Sequence, residues 1–170
     1  MKYFLGMEVM QSCSRIFICQ QKYAMNMLKK LKMQDCKPVS TPMTTSEKLS
    51  KDDDSEKINE GLYRSLIGSL LYLTTSRPDI LFAVSVLSRF MHSPSEKHFL
   101  ATKRVLRYIK GTIALRVQFS KSIEGDLKLL GYSDSDWGGC VDDSRSTSGY
   151  LFSLGSGYFT WSSKKQETTW

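Results

Sequence analysis

NEGLYRSLIGSLLYLTTSRPDILFAVSVLSRFM (Asn59–Met91), continued to Gly111 by HSPSEKHFLATKRVLRYIKG, holds most of the chain's apolar mass and reads as three helices in succession. Leu62, Leu66, Leu70 and Leu73 recur at helical spacing, and Ser65, Gly68 and Ser69 offer small surfaces for close helix approach. Ser76-Arg77-Pro78-Asp79 breaks the first helix and starts the second. Proline at a first helical turn has no N–H to lose, and an aspartate there complements the positive helix end. The second helix, Asp79 to Met91, has almost no polar face and is expected to be the most buried. Ser93-Pro94-Ser95-Glu96 reads as a capping box, with Ser93 accepting from the Glu96 amide, and Gly111 closes the third helix. On that helix Ala101, Val105, Tyr108 and Ile109 share one face. Lys103, Arg107 and Lys110 lie on the other, with Arg104 beside them. A basic stripe of this kind suits a phosphate backbone, where each neutralised phosphate releases a counterion. It also suits a plain solvated face.

Charge is unevenly spread along the 170 residues. The net charge is +7, yet residues 61–128 carry eleven basic and four acidic side chains, whereas residues 129–170 carry three and five. A basic helical part is therefore joined to an acidic, carboxylate-bearing part. With 41% hydrophobic and 24% charged residues the composition is that of a globular chain. Cys13, Cys19, Cys36 and Cys140 form no CxxC pair, and neither His92 nor His98 stands at zinc-finger spacing from them, which argues against structural zinc. No secretory or membrane-spanning pattern is present, so the expected location is intracellular, in cytoplasm or nucleus, with no membrane partner.

Before the helices, KYFLGMEVM and RIFICQ are apolar runs separated by QSCS, a β-hairpin pattern in which Gly6 marks a bulge or a close backbone approach. From Gln20 the period changes. Tyr23, Ala24, Met27, Leu28 and Leu31 form the apolar face of a helix whose other face carries Lys22, Lys29, Lys30 and Lys32; this helix is expected to run to about Asp35–Lys37. Pro38 and Pro42 force an extended connection, and residues 44–58 read as a flexible linker. After the helices the period becomes two. RVQFS, DLKLLGYSD, TSGYLFSLG and YFTWSS read as an antiparallel meander with turns at Glu124-Gly125-Asp126, Gly138-Gly139 and Gly155-Ser156-Gly157. No later helix covers this sheet, so one of its faces stays bare unless the helical unit or a partner packs on it. Asp134 and Asp136, two apart at a strand end, share a face in regular β geometry and form a candidate divalent-cation site; alternatively they cap the Gly-rich turn.

Four motifs in order carry a resemblance over nearly the whole chain: YFLGMEV, then ICQQKYAMNMLKKLKMQDCKPVSTPM, then YRSLIGSLLYLTTSRPDILFAVSVLSRFMHSPSEKHFLATKRVLRYIKGT, then GYSDSDWGGCVDDSRSTSGYLFSLGSGYFTWSSKKQ. They resemble, in turn, the strand leading to the primer grip, the thumb, the connecting helices and the opening RNase H strands of the Pol polyprotein of copia-type LTR retrotransposons. The resemblance implies four regions: residues 1–43 thumb-like, 44–58 linker, 59–116 helical connection and 117–170 a truncated RNase H-like domain. The expected fold class is α+β. It also implies Asp134 as the first of four RNase H carboxylates that hold two Mg²⁺ ions in the parent family, the polymerase Tyr-x-Asp-Asp hairpin lying upstream of Met1 and the next RNase H glutamate beyond Trp170. Asp134 is then vestigial, with Asp136 as a weak companion for a single cation. The expected function is a reverse transcriptase/RNase H fragment, inactive alone and without a functional Mg²⁺, that contacts RNA/DNA hybrid or other nucleic acid through Lys29, Lys30, Lys103, Arg104, Arg107 and Lys110. The missing parts of the polyprotein are further expected partners. The alternatives are an active parent enzyme of which this is a piece, and a domesticated protein-interaction module without a nucleic-acid role.

Overall fold

The computed structural model describes residues 3–44, 48–121 and 127–168. The chain is α+β, with helices and two separate antiparallel sheets. Strands β1 (Tyr3–Phe4), β2 (Met7–Gln11) and β3 (Arg15–Cys19) precede helix α1 (Gln21–Lys30). Helix α2 (Glu60–Leu73), a 3₁₀ turn at Pro78–Ile80, helix α3 (Leu81–Ser88) and helix α4 (Glu96–Gly111) follow. Strands β4 (Val117–Ser120), β5 (Leu129–Ser135), β6 (Thr147–Leu154) and β7 (Gly157–Lys165) complete the chain.

The predicted N-terminal hairpin is present, with an additional reversal inside its first strand. Leu5 and Gly6 both take positive φ, 46° and 74°, as a two-residue turn between β1 and β2 requires. Close approach is the second reason for glycine at position 6: a Cβ there would collide with the Tyr72 hydroxyl, which donates to the Leu5 carbonyl. Helix α1 takes its first-turn partner from a distance, since the Lys22 amide donates to Glu8 Oε1 at 2.7 Å. It ends at Lys30, well short of the expected Asp35–Lys37. The Lys32 N–H bonds the Lys29 carbonyl and the Met33 N–H bonds the Leu28 carbonyl, a Schellman closure with Lys32 rather than glycine at φ 53°.

The core lies among the helices. Tyr63, Leu66, Ile67, Leu70 and Leu73 of α2 meet Ala83, Val84 and Leu87 of α3, Val105, Leu106 and Ile109 of α4, and Ala24, Met27 and Leu28 of α1. Leu62, counted among the helical leucines, faces solvent, and a Cβ on Gly68 would meet only open space, so no helix uses it for close approach. Helix α3 is not the uniformly buried helix its composition suggests, because Phe82 is 51% exposed where it borders a groove beside the second sheet. The buried stripe of α4 runs through His98, Thr102, Val105, Leu106 and Ile109. Its capping box stands two residues later than read from sequence. The Ser95 hydroxyl accepts from the His98 amide, and His98 Nδ1 accepts from the Ser95 amide. The Glu96 amide, expected to bond Ser93, donates instead to the Glu56 carbonyl.

Arg77 holds the helix break in place. Arg77 is 4% exposed, and its guanidinium pairs bidentately with Asp79 at 2.7 and 2.8 Å and donates to the carbonyl and hydroxyl of Thr112 just past α4. Residues 48–58, within the segment read as linker, make definite contacts. Ile58 and Glu96 exchange backbone bonds across the junction with Pro94 and Glu56, and Leu49 packs against the core.

RVQFS leaves the C-terminal meander. Strand β4 pairs with β3 from Arg15↔Ser120 to Ile18↔Val117, giving the sheet order β1-β2-β3-β4. The remaining meander has the order β5-β6-β7, and the expected turn at Glu124-Gly125-Asp126 lies outside the described residues. The two sheets touch where the Phe119 ring lies against Gly157 and the Ser120 amide donates to Ser156 Oγ. The helical unit supplies the cover expected for one face of the second sheet. Trp161 Nε1 donates to the Thr74 carbonyl, Ser85 Oγ to the Ser163 carbonyl and Arg89 to Thr147 Oγ1, at 3.0, 3.0 and 2.8 Å. Among the described residues no helix is long and apolar enough to cross a membrane.

Candidate nucleic-acid interface and carboxylate site

The six basic residues singled out from sequence fall into two environments. Lys29 and Lys30 occupy the last turn of α1 and are exposed. They rim a groove of about 520 Å³ between α1 and α2, together with Asn26, Ser65 and Ser69 over a floor of Met27 and Leu66. Lys103 and Lys110 are exposed on α4, and Lys103 Nζ sits 4.5 Å from the centre of the Phe99 ring. The two arginines between them are only partly exposed and turn inward. Arg104 donates to Thr41 Oγ1 and Arg107 Nε to the Lys37 carbonyl, each at 2.8 Å. They fasten the proline-containing segment to α4, so the lysines supply the mobile charge of this surface and the arginines spend part of theirs on structure.

The two carboxylates of the cation-site reading also differ. Asp134 lies in β5, in register with Gly149 and Ser163, on the sheet face that looks toward α3. Asp136 lies beyond the strand end, and its Oδ1 accepts from the amides of Thr147 at 2.8 Å and Gly139 at 3.2 Å. It closes the Gly138-Gly139 turn, the alternative to cation binding that a Gly-rich sequence allows. Both aspartates line a groove of about 590 Å³ between this face and α3, walled by Phe82, Tyr132, Tyr158 and Trp161. Among the described residues no group of three or more His, Cys, Asp or Glu side chains could hold a metal ion. The donor set is a poor fit to two-metal chemistry, since of the three aspartates on the groove Asp79 is paired with Arg77 and Asp136 has Oδ1 engaged by backbone amides.

Three polar clusters escaped the sequence reading. Gln20, 2% exposed, accepts from Ser76 and Thr75 and donates to the Tyr72 carbonyl, tying the hairpin to the end of α2. Asp53 accepts from Ser55 and, at 2.5 Å, from Ser95 Oγ. Burial alone would push the Asp53 carboxyl up, but the Ser95 and Ser55 hydrogen bonds outweigh it and hold the group well below the usual carboxylate range. Asp143 is held at about 2, chiefly by the hydrogen bond from Lys165, which lies 2.7 Å away. Only Ser95, beside a proline and ahead of an apolar helix, carried a legible sequence signal; the others are assembled by pairings across dozens of residues.

Comparison with known proteins gives a consistent set of relatives. The chain is 43% identical over 165 residues to the retrovirus-related Pol polyprotein from transposon RE1 of Arabidopsis thaliana, and 42% identical over 165 residues to that from transposon RE2. Each match covers 97% of this chain and 11% of the polyprotein, so the chain spans about a ninth of the length of these relatives. It is also 41% identical over 167 residues to an uncharacterised mitochondrial protein of Arabidopsis thaliana, covering 98% of this chain and 68% of that protein. No family profile matches the chain, and no solved structure matches it.

Proposed function

The chain belongs to the family of retrovirus-related Pol polyproteins of copia-type transposons, and from that premise we propose that it is the thumb, connection and first RNase H strands of such a polyprotein, binding nucleic acid without catalysing its synthesis or cleavage. The observation that carries the binding reading is the exposure of Lys29, Lys30, Lys103 and Lys110 on two helices, α1 and α4, that pack on one another. Charges on one rigid support can track successive phosphates of an RNA/DNA hybrid without first ordering a loop. The inactivity reading rests on Asp136. Oδ1 of Asp136 is engaged by two amides, and Asp79, the third carboxylate on this groove, is paired with Arg77, so Asp134 has only Asp136 Oδ2 to share an ion with.

The test is fluorescence anisotropy of the full chain with a labelled RNA/DNA hybrid across a salt series. Binding whose logarithm falls linearly with the logarithm of salt, and whose slope shallows when Lys29, Lys30, Lys103 and Lys110 are replaced, supports the reading. An unchanged slope in a folded variant refutes it.

A second reading, a protein-interaction module, is favoured by one observation. Leu129 and Tyr150 are exposed on the face of the three-stranded sheet opposite the one that Trp161 presents to the helices.

A further inference from the structure

Cys140 and Lys165 meet in a way that neither the family nor the basic surface accounts for. Lys165 Nζ lies 3.0 Å from Cys140 Sγ, and the same ammonium lies 2.7 Å from Asp143 Oδ2. Both partners are held. The Cys140 amide donates to the Arg145 carbonyl at 3.1 Å, and its own carbonyl accepts from Ser144 at 2.9 Å. Lys165 stands at the end of β7, paired with the buried Thr147. No second thiol competes for Cys140, because Cys13, Cys19 and Cys36 are all free in other parts of the fold. Cys140 is 9% exposed, yet it lines an open groove of about 540 Å³ that it shares with Met43, Phe82, Val86 and Arg89, wide enough for a diatomic oxidant to enter.

We propose that Cys140 and Lys165 form an oxidation-dependent covalent bridge in which one oxygen atom joins Sγ to Nζ, stapling the 138–146 turn to the last strand. Dioxygen is the oxidant. Thiol, ammonium and dioxygen give the S–O–N bridge, one water and one proton. The S–H bond and two N–H bonds break, while one S–O and one N–O bond form. Sulfur and nitrogen each lose two electrons, and dioxygen gains four, leaving one oxygen atom in the bridge and the other in water. The ammonium proton passes to solvent, and Asp143, hydrogen-bonded to Nζ, holds the amine beside the thiol. The thiol and amine need no rearrangement to be spanned by a single atom, which separates this pair from cysteines that climb the oxidation ladder alone. Closing the loop between residues 140 and 165 restricts the unfolded chain, so the bridged protein should unfold at a higher temperature.

The experiment compares the full chain kept anaerobic with the same chain held in dioxygen-saturated buffer, by intact mass and by mapping of non-reduced digests. The bridge adds one oxygen and removes two hydrogens, a gain of about 14 Da, distinct from the ordinary oxidation steps of about 16 or 32 Da at a lone cysteine. The expected result is that gain on a linked pair of peptides containing Cys140 and Lys165, reversed by dithiothreitol, with a rise in the unfolding midpoint that the anaerobic sample lacks. Lys165→Arg keeps the ion pair with Asp143 but supplies no primary amine, and should remain folded and show no linked peptide. Oxidation that stops at Cys140 alone, or that proceeds equally in Lys165→Arg, overturns the proposal, as does a link that dithiothreitol leaves intact.

Discussion

His98 and Ser95 fix each other's hydrogen-bonding roles. The Ser95 amide, which can only donate, lies 3.0 Å from His98 Nδ1, so that nitrogen carries no proton; Nε2, 3.0 Å from the Ser50 carbonyl, carries it instead. The ring is fully buried and stacks on Phe90 at 3.8 Å. Protonation would turn Nδ1 into a second donor facing a donor.

A loss of stability in mild acid follows. Burial pushes the His98 imidazole below its ordinary value, against the opposing pull of the Asp53 carboxylate and the hydrogen bond to the Ser50 carbonyl. A base with a lowered folded value is neutral in both states above about pH 6.5, where its contribution to stability is complete. As pH falls below that, the unfolded chain takes a proton the folded chain resists, and stability declines until the folded value is passed. The denaturation midpoint should therefore fall between pH 7.5 and 5. Gln at position 98 keeps a capping-box acceptor that does not titrate, so His98→Gln should flatten this decline. A wild-type midpoint that is constant over the interval would count against the assignment.

Removing the Ser95 hydroxyl should be costly at any pH. Ser95→Ala deletes the cap of α4 and leaves Asp53, whose side chain is 6% exposed, without its shortest partner. A lost N-cap costs about 1 kcal/mol, and an under-satisfied buried carboxylate adds roughly 1–3 kcal/mol. Urea titration should show a loss of about 2–4 kcal/mol. A loss under 0.5 kcal/mol would mean that the Asp53 hydrogen bond contributes nothing.

Gly6→Ala combines positive φ with a collision at the Tyr72 hydroxyl. It should destabilise by more than about 1 kcal/mol. Tyr72→Phe in the same chain should recover part of that loss by removing the colliding oxygen. An equal penalty in both backgrounds would assign the whole effect to backbone strain.

These sites mark the limit of what the sequence displayed. The helical unit was legible because Leu66, Leu70 and Leu73 repeat at helical spacing and Pro78 punctuates the run. The C-terminal strands were legible as short apolar runs of strand length, such as Tyr150-Leu151-Phe152, bounded by turn residues such as Gly155-Ser156-Gly157. Strand β4 was assigned to the wrong sheet because local alternation carries no information on pairing partners, and Arg15↔Ser120 joins residues over a hundred apart. The end of α1 was missed because Lys32 takes a conformation normally signalled by glycine. Asp134 and Asp136 look equivalent in the sequence, and only the Thr147 and Gly139 amides distinguish them.

The basic surface should divide along the same line. Replacing Lys103 and Lys110 with Ala should leave stability nearly unchanged, since both are exposed, and lower the salt slope of hybrid binding by about 0.9 for each phosphate no longer neutralised. Replacing Arg104 and Arg107 with Ala should lower the unfolding midpoint, because the bonds to Thr41 and the Lys37 carbonyl go with them. If the arginine variant alone changed the slope while remaining as stable as wild type, the division of roles would be reversed.

Catalysis provides the sharpest outcome. Two-metal hydrolysis places its ions roughly 4 Å apart on several carboxylates that clamp the attacking and leaving oxygens. Here Asp136 has its Oδ1 engaged by two amides, and Asp134 stands on an exposed strand with Gly149 and Ser163 as neighbours across the sheet. Mg²⁺ keeps most of its waters and asks for near-octahedral ligation, so one loose carboxylate holds it weakly. Labelled RNA/DNA hybrid incubated with the purified chain in Mg²⁺ or Mn²⁺ should stay intact, and Asp134→Asn should behave as wild type. Cleavage that vanishes in Asp134→Asn would mean that further acids, with Asp142 and Asp143 the nearest candidates in sequence, complete a metal site when the hybrid binds. In that case Lys165 would have to release Asp143, and Lys165→Met should raise the rate.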